Sequence, residues 1–237
     1  MSMKKNIVKK VVTNATVDQF LKKSNSVAFP NSAKKNKSGR LIFSLDATAS
    51  RQPTWDTAAQ IQSEMFLQTS NLGALDIQLN FYRGFGEFLA SRWINNPYEL
   101  MRIMGKVTCS AGETQVCKVL KHAVKTAKLN EVDALVFVGD CFEEDVDNAG
   151  KIAGELGLLG VPVFIFHEGH DPIAEFSFKQ ICKLSGGAYC RFDQSSADTL
   201  KNLLSAVAIY VVGGSIALKN YANKKGGKIL FIADQVN

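Results

Sequence analysis

Short apolar runs alternate with longer amphipathic segments along the chain from residue 40 onward. The runs near residues 41–45, 134–138 and 161–166 have the pattern of strands buried on both faces of a sheet. A tight turn at 84–86 joins two further segments, which predicts an antiparallel hairpin. Strands are therefore predicted at 41–45, 76–83, 87–90, 134–138, 161–166 and 188–192, with a candidate last strand at 228–232.

The segments between these strands carry apolar residues at helical spacing. Helices are predicted at 54–71, 97–104, 114–127, 144–156, 173–184 and 197–210. Strands that alternate with helices imply a mostly parallel sheet that is covered by helices on both faces. We therefore predict an α/β fold of the doubly wound, Rossmann-like kind, with one antiparallel edge strand.

Charge divides the chain into two parts. Residues 1–40 hold ten Lys and Arg side chains and one Asp, a charge of +9, which leaves −3 for the remainder of a chain whose total is +6. We expect residues 1–39 to form a basic, weakly ordered leader with a short helix at 17–23, and residues 40–237 to form the folded domain. A mildly acidic body argues against a nucleic-acid surface on the folded part.

The spacing of the cysteines and the length of the apolar runs predict the cellular compartment of the protein. The five cysteines include no C-x-x-C pair, which favours free thiols in a reducing, cytoplasmic setting. The basic start is not followed by the apolar region of a secretory signal. The longest apolar run, at 203–212, is too short to span a bilayer, so no transmembrane segment is expected. Oligomeric state stays open.

Two of the predicted buried strands end in an aspartate. The first continues as Asp46-Ala47-Thr48-Ala49-Ser50, and the second as Gly139-Asp140. Strand ends on either side of the switch point of a doubly wound sheet lie side by side, so these carboxylates should meet. Two like charges need a cation or a proton between them, and oxygen donors suit Mg²⁺, Mn²⁺ or Ca²⁺. Thr114 begins a predicted helix and adds a further hydroxyl.

This pattern resembles the metal-ion-dependent adhesion site (MIDAS) of the von Willebrand factor type A (VWA) domain family, over residues 41–212. Its motif positions correspond to Asp46, Thr48, Ser50, Thr114 and Asp140, with Thr48 in place of a serine. The resemblance implies a divalent cation, Mg²⁺ first, bound by the two motif hydroxyls and directly or through water by the aspartates. Thr114 would join or leave the site as the domain opens, and a partner protein's carboxylate would fill an open metal position.

Some residues depart from the family pattern. Cys141 stands where a glycine is common, and Glu113 could crowd the site. Flanking stretches resemble a bacterial, cytoplasmic subgroup of the family. The acidic run 143–145 is predicted to complement a helix N-terminus. We expect a partner-binding rim of polar and aromatic side chains around the site, made by Arg51, Trp55, Arg83, Phe85, Glu113, His167 and His170.

Three alternatives stay open. Asp46-x-Thr48 also resembles the phosphoaspartyl loop of the haloacid-dehalogenase class, in which Asp46 would be a nucleophile and Mg²⁺ the cofactor of a phosphohydrolase. Position 48 lacks that class's second aspartate, and no cap domain is evident. A metal-free scaffold is the second alternative. The loop 167–171 holds two histidines and two acids, which allows a second metal or catalytic role.

Overall fold

A computed structural model describes residues 38–193 and 197–236. The leader and its helix at 17–23 lie outside the described residues, except for Ser38 and Gly39. Six strands form one sheet in the order β3-β2-β1-β4-β5-β6. They are β1 (Gly39–Asp46), β2 (Leu75–Arg83), β3 (Glu87–Ile94), β4 (Ala134–Gly139), β5 (Val163–Glu168) and β6 (Tyr189–Phe192). The β2–β3 pair is antiparallel and the other pairs are parallel, so the predicted fold class is confirmed.

Helices cover both faces of this sheet. They are α1 (Gln52–Ile61), α2 (Ser63–Thr69), α3 (Pro97–Met104), α4 (Val116–Leu129), α5 (Val146–Leu158), α6 (Pro172–Ser185), α7 (Ala197–Lys225) and α8 (Lys228–Gln235). Alternate β1 side chains divide the core: Phe43 packs with α1, α2, α3, α7 and α8, whereas Ile42 packs with α4, α5 and α6. The near-continuous burial of β1, β4 and β5 follows from this two-sided cover.

Two element predictions were wrong in detail. The single helix predicted at 54–71 is two helices that meet at Gln62, because Met65 N donates to the Gln62 carbonyl at 3.1 Å, three residues back instead of four. The buried Gln62 side chain donates to the Pro97 carbonyl at 2.9 Å. The candidate strand at 228–232 is the helix α8. Ile229, Ile232 and Ala233 are buried at helical spacing, while Phe231 between them is exposed, so the apolar run serves one helix face.

The helix α7 is longer than the predicted 197–210. By length and composition alone, it is the one helix of the described chain that could cross a membrane, and half of that apolar stretch is buried within the protein. Gly214 interrupts it with non-helical angles (φ 72°, ψ −173°). Leu203, Leu204 and Val207 pack in the core against the sheet, so packing accounts for the apolar character of this segment.

The strands β1 and β4 end at the same level, which positions the candidate site. Leu45 pairs with Val138 in the parallel register. The sheet order places β1 and β4 where the winding direction reverses, and the crevice above such a point is where ligands bind in open α/β sheets.

Candidate metal centre

Asp46 and Asp140 lie together at this edge. Asp46 ends β1 and is only 2% exposed, whereas Asp140 follows β4 and is partly exposed. Gly139, between them, leaves room for the Phe137 ring, because a Cβ there would lie 2.6 Å from that ring and 3.7 Å, an ordinary contact distance, from the Asp46 Cβ. The convergence expected from the two strand ends is therefore present.

Among the described residues, one carboxylate oxygen of Asp46 accepts no hydrogen bond of ordinary length and angle. Its Oδ1 accepts the Thr48 backbone N–H at 2.7 Å, while its Oδ2 is buried without such a hydrogen bond from any residue that the structure describes. Burial raises the pKa of Asp46 and the Asp140 carboxylate raises it further, whereas hydrogen bonding from Thr48 and from the Tyr82 hydroxyl lowers it. A buried oxygen of this kind calls for a proton, a cation or a hydrogen-bond donor, and the buried Tyr82 hydroxyl is one such donor beside it.

The turn after β1 brings the Ser50 hydroxyl to Asp140. Thr48 precedes a short 3₁₀ turn at Ala49–Arg51, and Ser50 lies within that turn. The Ser50 hydroxyl donates to Asp140 Oδ2 at 3.3 Å. The first motif and the final aspartate therefore share one pocket.

Thr114 lies on a third loop, which is hydrogen-bonded to the residue after Asp46. The backbone N–H of Ser110 donates to the Ala47 carbonyl at 3.0 Å, which anchors this loop beside the first motif. Thr114 is buried and exchanges two hydrogen bonds with Glu143: Glu143 N donates to Thr114 Oγ1 at 3.0 Å, and Thr114 N donates to Glu143 Oε2 at 3.2 Å. Thr114 is thus held next to the loop that follows Asp140.

The acidic run after this point caps helices, as the sequence predicted. Glu144 accepts the Cys117 N–H at 3.0 and 3.1 Å, at the start of α4. Asp145 is the N-cap of α5 and accepts from Asn148 N at 2.6 Å. These carboxylates satisfy free amide groups at helix N-termini.

A buried ion-pair cluster lies beside Asp140 and was not predicted. Arg51 Nη1 contacts Asp140 Oδ2 at 2.9 Å, and Arg51 Nη2 pairs with Glu168 and donates to Thr54 Oγ1 at 2.6 Å. The Thr54 hydroxyl donates to Glu168 in turn. Arg51 and Glu168 are 3% and 6% exposed. Burial lowers the pKa of Arg51, but Asp140 and then Glu168 outweigh it and raise that pKa overall.

Three residues of the predicted rim are buried, so their assignment to a partner surface was wrong. Arg51 turns inward to the ion-pair cluster. Trp55 is 2% exposed because it faces the core, where it packs edge-on against Phe81 and donates to the Met104 carbonyl at 3.0 Å. His167 is fully buried because β5 continues two residues beyond its predicted end.

His167 contacts the backbone of Asp140 from the interior of the protein. Its Nδ1 lies 2.9 Å from the Tyr189 hydroxyl, and its Nε2 lies 3.2 Å from the Asp140 carbonyl. Burial lowers the pKa of His167. His170, in contrast, is exposed and lies 3.8 Å from Asp193. His167 is therefore part of the interior, whereas His170 lies at the surface. Within the described chain, no three His, Cys, Asp or Glu side chains are grouped closely enough to hold a metal ion.

The remaining rim residues are accessible. Phe85, in the β2–β3 turn, is 83% exposed, and Glu113 is exposed with its N–H donating to the Gly84 carbonyl at 3.3 Å. Arg83 is partly exposed and pairs with Glu87 through two contacts of 2.9 and 3.0 Å. These side chains and His170 are therefore open to solvent, as a partner-binding surface requires.

The donor set fits a hard divalent cation. Asp46, Asp140 and Glu168 carry three negative charges and Arg51 one positive charge, which leaves −2. The Oδ2 of Asp46 and the hydroxyls of Thr48 and Ser50 are oxygen donors, which suit Mg²⁺, Mn²⁺ or Ca²⁺.

Known structures share this fold. A von Willebrand factor type A protein from Catenulispora acidiphila aligns with a TM-score of 0.57 and 9% identity over 73% of this chain and 43% of its own length. The VWA domain of SpRpn10 aligns at 0.54 and 12%, over 70% and 95%. The pilus adhesin SpaC from Lactobacillus rhamnosus GG, in an open conformation, aligns at 0.57 and 12%, over 77% and 31%.

These similarities define the class of fold. The chain has the fold of a VWA domain, and identities this low carry no more than the fold. The chain spans less than half of the Catenulispora protein and about a third of SpaC. No family model and no curated protein matches the sequence.

Proposed function

We propose that this protein is a metal-dependent binding module that captures a carboxylate of a partner protein at the pocket between Asp46 and Asp140. The observation that carries the proposal is the buried Oδ2 of Asp46, which accepts no hydrogen bond of ordinary geometry from the described residues, beside a second carboxylate and the hydroxyl of Ser50. A VWA fold with this donor set in its strand-end crevice supports the same function.

Each residue has a distinct role in this proposal. Asp46 Oδ2, Thr48 and Ser50 offer oxygen donors, Asp140 balances charge from the opposite strand, and Thr114 adds a hydroxyl when released from Glu143. The bound cation would supply the positive charge that a partner carboxylate needs, with Mg²⁺ first and Mn²⁺ or Ca²⁺ as alternatives.

The partner surface would be the accessible rim. Phe85 offers an exposed aromatic ring, and Arg83 and His170 offer polar groups. Aromatic and arginine side chains are the usual anchors of protein interfaces. One protein of similar fold is a pilus adhesin, which is compatible with a binding role.

The test uses peptides, because the partner protein then need not be identified first. An array of Asp- and Glu-containing peptides would be probed beside the matched Asn and Gln peptides, in Mn²⁺ and in chelator. We expect carboxylate peptides alone to bind, only with metal, and binding to fall in Thr114→Ala. Binding of acid and amide peptides alike, or undiminished binding in chelator, would reject the proposal.

A metal-free scaffold is a second candidate, and one observation favours it. The Arg51 guanidinium already contacts Asp140 at 2.9 Å, so part of the charge at the site is compensated without any added ion. Thermal melts separate the two. A scaffold would melt at the same temperature in Mn²⁺ and in chelator, whereas binding to the native state alone raises the melting temperature.

A further inference from the structure

The residue that follows the last motif hydroxyl brings a positive charge into the site. Arg51 is buried, and its guanidinium bridges Asp140 to Glu168 while Thr54 closes the cluster. A buried guanidinium persists only when it is paired and hydrogen-bonded, and here both requirements are met from three elements. The folded structure therefore holds the Arg51 guanidinium at this position.

This charge lies where it affects a bound cation most. Arg51 and the motif residue Ser50 both contact the same carboxylate oxygen, Asp140 Oδ2. A cation approaching Asp46 and Asp140 meets the attraction of two aspartates, opposed by a fixed positive charge on one of them. Interactions between charges in a pocket of low dielectric are stronger than at the surface.

We propose that Arg51 is an internal counter-ion that holds the pocket together without metal and lowers the affinity of the site for a divalent cation, with Glu168 setting the size of this effect. The inference rests on the proposed function, since it concerns the same site. It predicts that metal affinity follows the net charge of the cluster formed by Asp46, Asp140, Glu168 and Arg51.

A charge series tests this directly. With three carboxylates and one guanidinium the wild type carries −2, Glu168→Gln carries −1, Arg51→Met carries −3, and the double variant Arg51→Met/Glu168→Gln returns to −2. Mn²⁺ binding would be measured by the loss of the free-ion signal in electron paramagnetic resonance. We expect Kd to fall at least tenfold from Glu168→Gln to the wild type and again to Arg51→Met, about 1.4 kcal/mol per step.

The double variant distinguishes charge from positioning. If Arg51 acts as a counter-ion, the double variant binds Mn²⁺ within about threefold of the wild type. If Arg51 only orients Asp140, Arg51→Met binds Mn²⁺ more weakly than the wild type, and the double variant binds it equally weakly. That result overturns the proposal. Arg92→Met, which breaks the surface pair with Glu99, removes an equal charge outside the site and should leave Kd unchanged.

The failure of the proposed function would look different. If the wild type binds no Mn²⁺ but Arg51→Met does, the counter-ion proposal stands and metal dependence of the wild type fails. If the wild type binds Mn²⁺ and Arg51→Met binds no more tightly, the counter-ion proposal fails and the proposed function survives. If neither protein binds, both fail. Circular dichroism of each variant in chelator establishes that it is folded before titration.

Discussion

The Arg51 cluster should also contribute strongly to stability in the absence of metal. Arg51→Met would leave Glu168, which is 6% exposed, as a buried carboxylate with only the Thr54 hydroxyl as donor. Removing one partner of a buried ion pair costs about 3–5 kcal/mol, because the remaining charge is desolvated and uncompensated. Asp140 adds less to this loss, since it is partly exposed and water can solvate it.

That loss is large enough to measure simply. For a domain of this size, each kcal/mol shifts the melting temperature by about 2–4 °C, so Arg51→Met should melt roughly 6–20 °C lower. Urea unfolding in chelator, followed by the fluorescence of the buried Trp55 and of Trp93, would give the free energy of unfolding. Scans at several protein concentrations would exclude aggregation as the cause.

The matched variant is Arg51→Met/Glu168→Gln. It removes the stranded charge and keeps an amide oxygen that can accept from Thr54, so we expect it to recover more than half of the lost free energy. Arg92→Met, in an exposed pair, should cost no more than about 1 kcal/mol. Equal losses in the single and double Arg51 variants would refute the reasoning, because the loss would then come from packing and not from charge.

Further predictions concern the loops, a helix and pH. Gly112→Ala would place a Cβ 2.2 Å from the Gly84 carbonyl oxygen, so we expect a lower melting temperature and weaker Mn²⁺ binding as the Thr114 loop shifts. Gly154→Ala, in α5 with nothing within 4 Å, should instead stabilise by roughly 0.5–1 kcal/mol, which calorimetry would detect. Because burial lowers the pKa of His167 below 6.5, the unfolded chain binds the proton more readily, so stability should fall as pH drops below about 6.5. Urea unfolding measured from pH 7.5 to 5.5 should show that the free energy of unfolding falls less steeply in His167→Gln than in the wild type. Burial also lowers the pKa of His122, which should account for the fall that remains. An unchanged slope in His167→Gln would contradict this assignment.

Local patterns were sufficient for the framework of the fold. Apolar runs that end in Asp46 and in Asp140 identified two central strands, and the parallel register of β1 and β4 then brought those ends together. The tight turn at 84–86 correctly predicted the antiparallel hairpin of β2 and β3. These features depend on short-range spacing, which sequence reports well.

The errors concern tertiary contacts and element ends. Arg51 and Trp55 were assigned to the rim because polar and aromatic side chains near a site often face solvent, yet ion pairing and core packing turn them inward. His167 is buried because β5 runs further than its apolar run suggested. The run at 229–232 has no strand partner and folds as a helix whose buried face joins the core. Glu168 lies two residues after the buried apolar run at 161–166. That position was the one signal in the sequence for the buried pair of Arg51 and Glu168.

The most direct test of the central claim is Mn²⁺ titration of the wild type and of Asp46→Asn, with Glu99→Gln as a matched surface control. We expect the wild type and the control to bind one Mn²⁺ per chain and to gain about 2.7 kcal/mol of stability at a hundredfold excess over Kd. Asp46→Asn should bind none, and in chelator it should be at least as stable as the wild type, because burial disfavours the Asp46 charge. Equal binding by the wild type and Asp46→Asn, or no binding by the wild type, would contradict a metal site at this pocket.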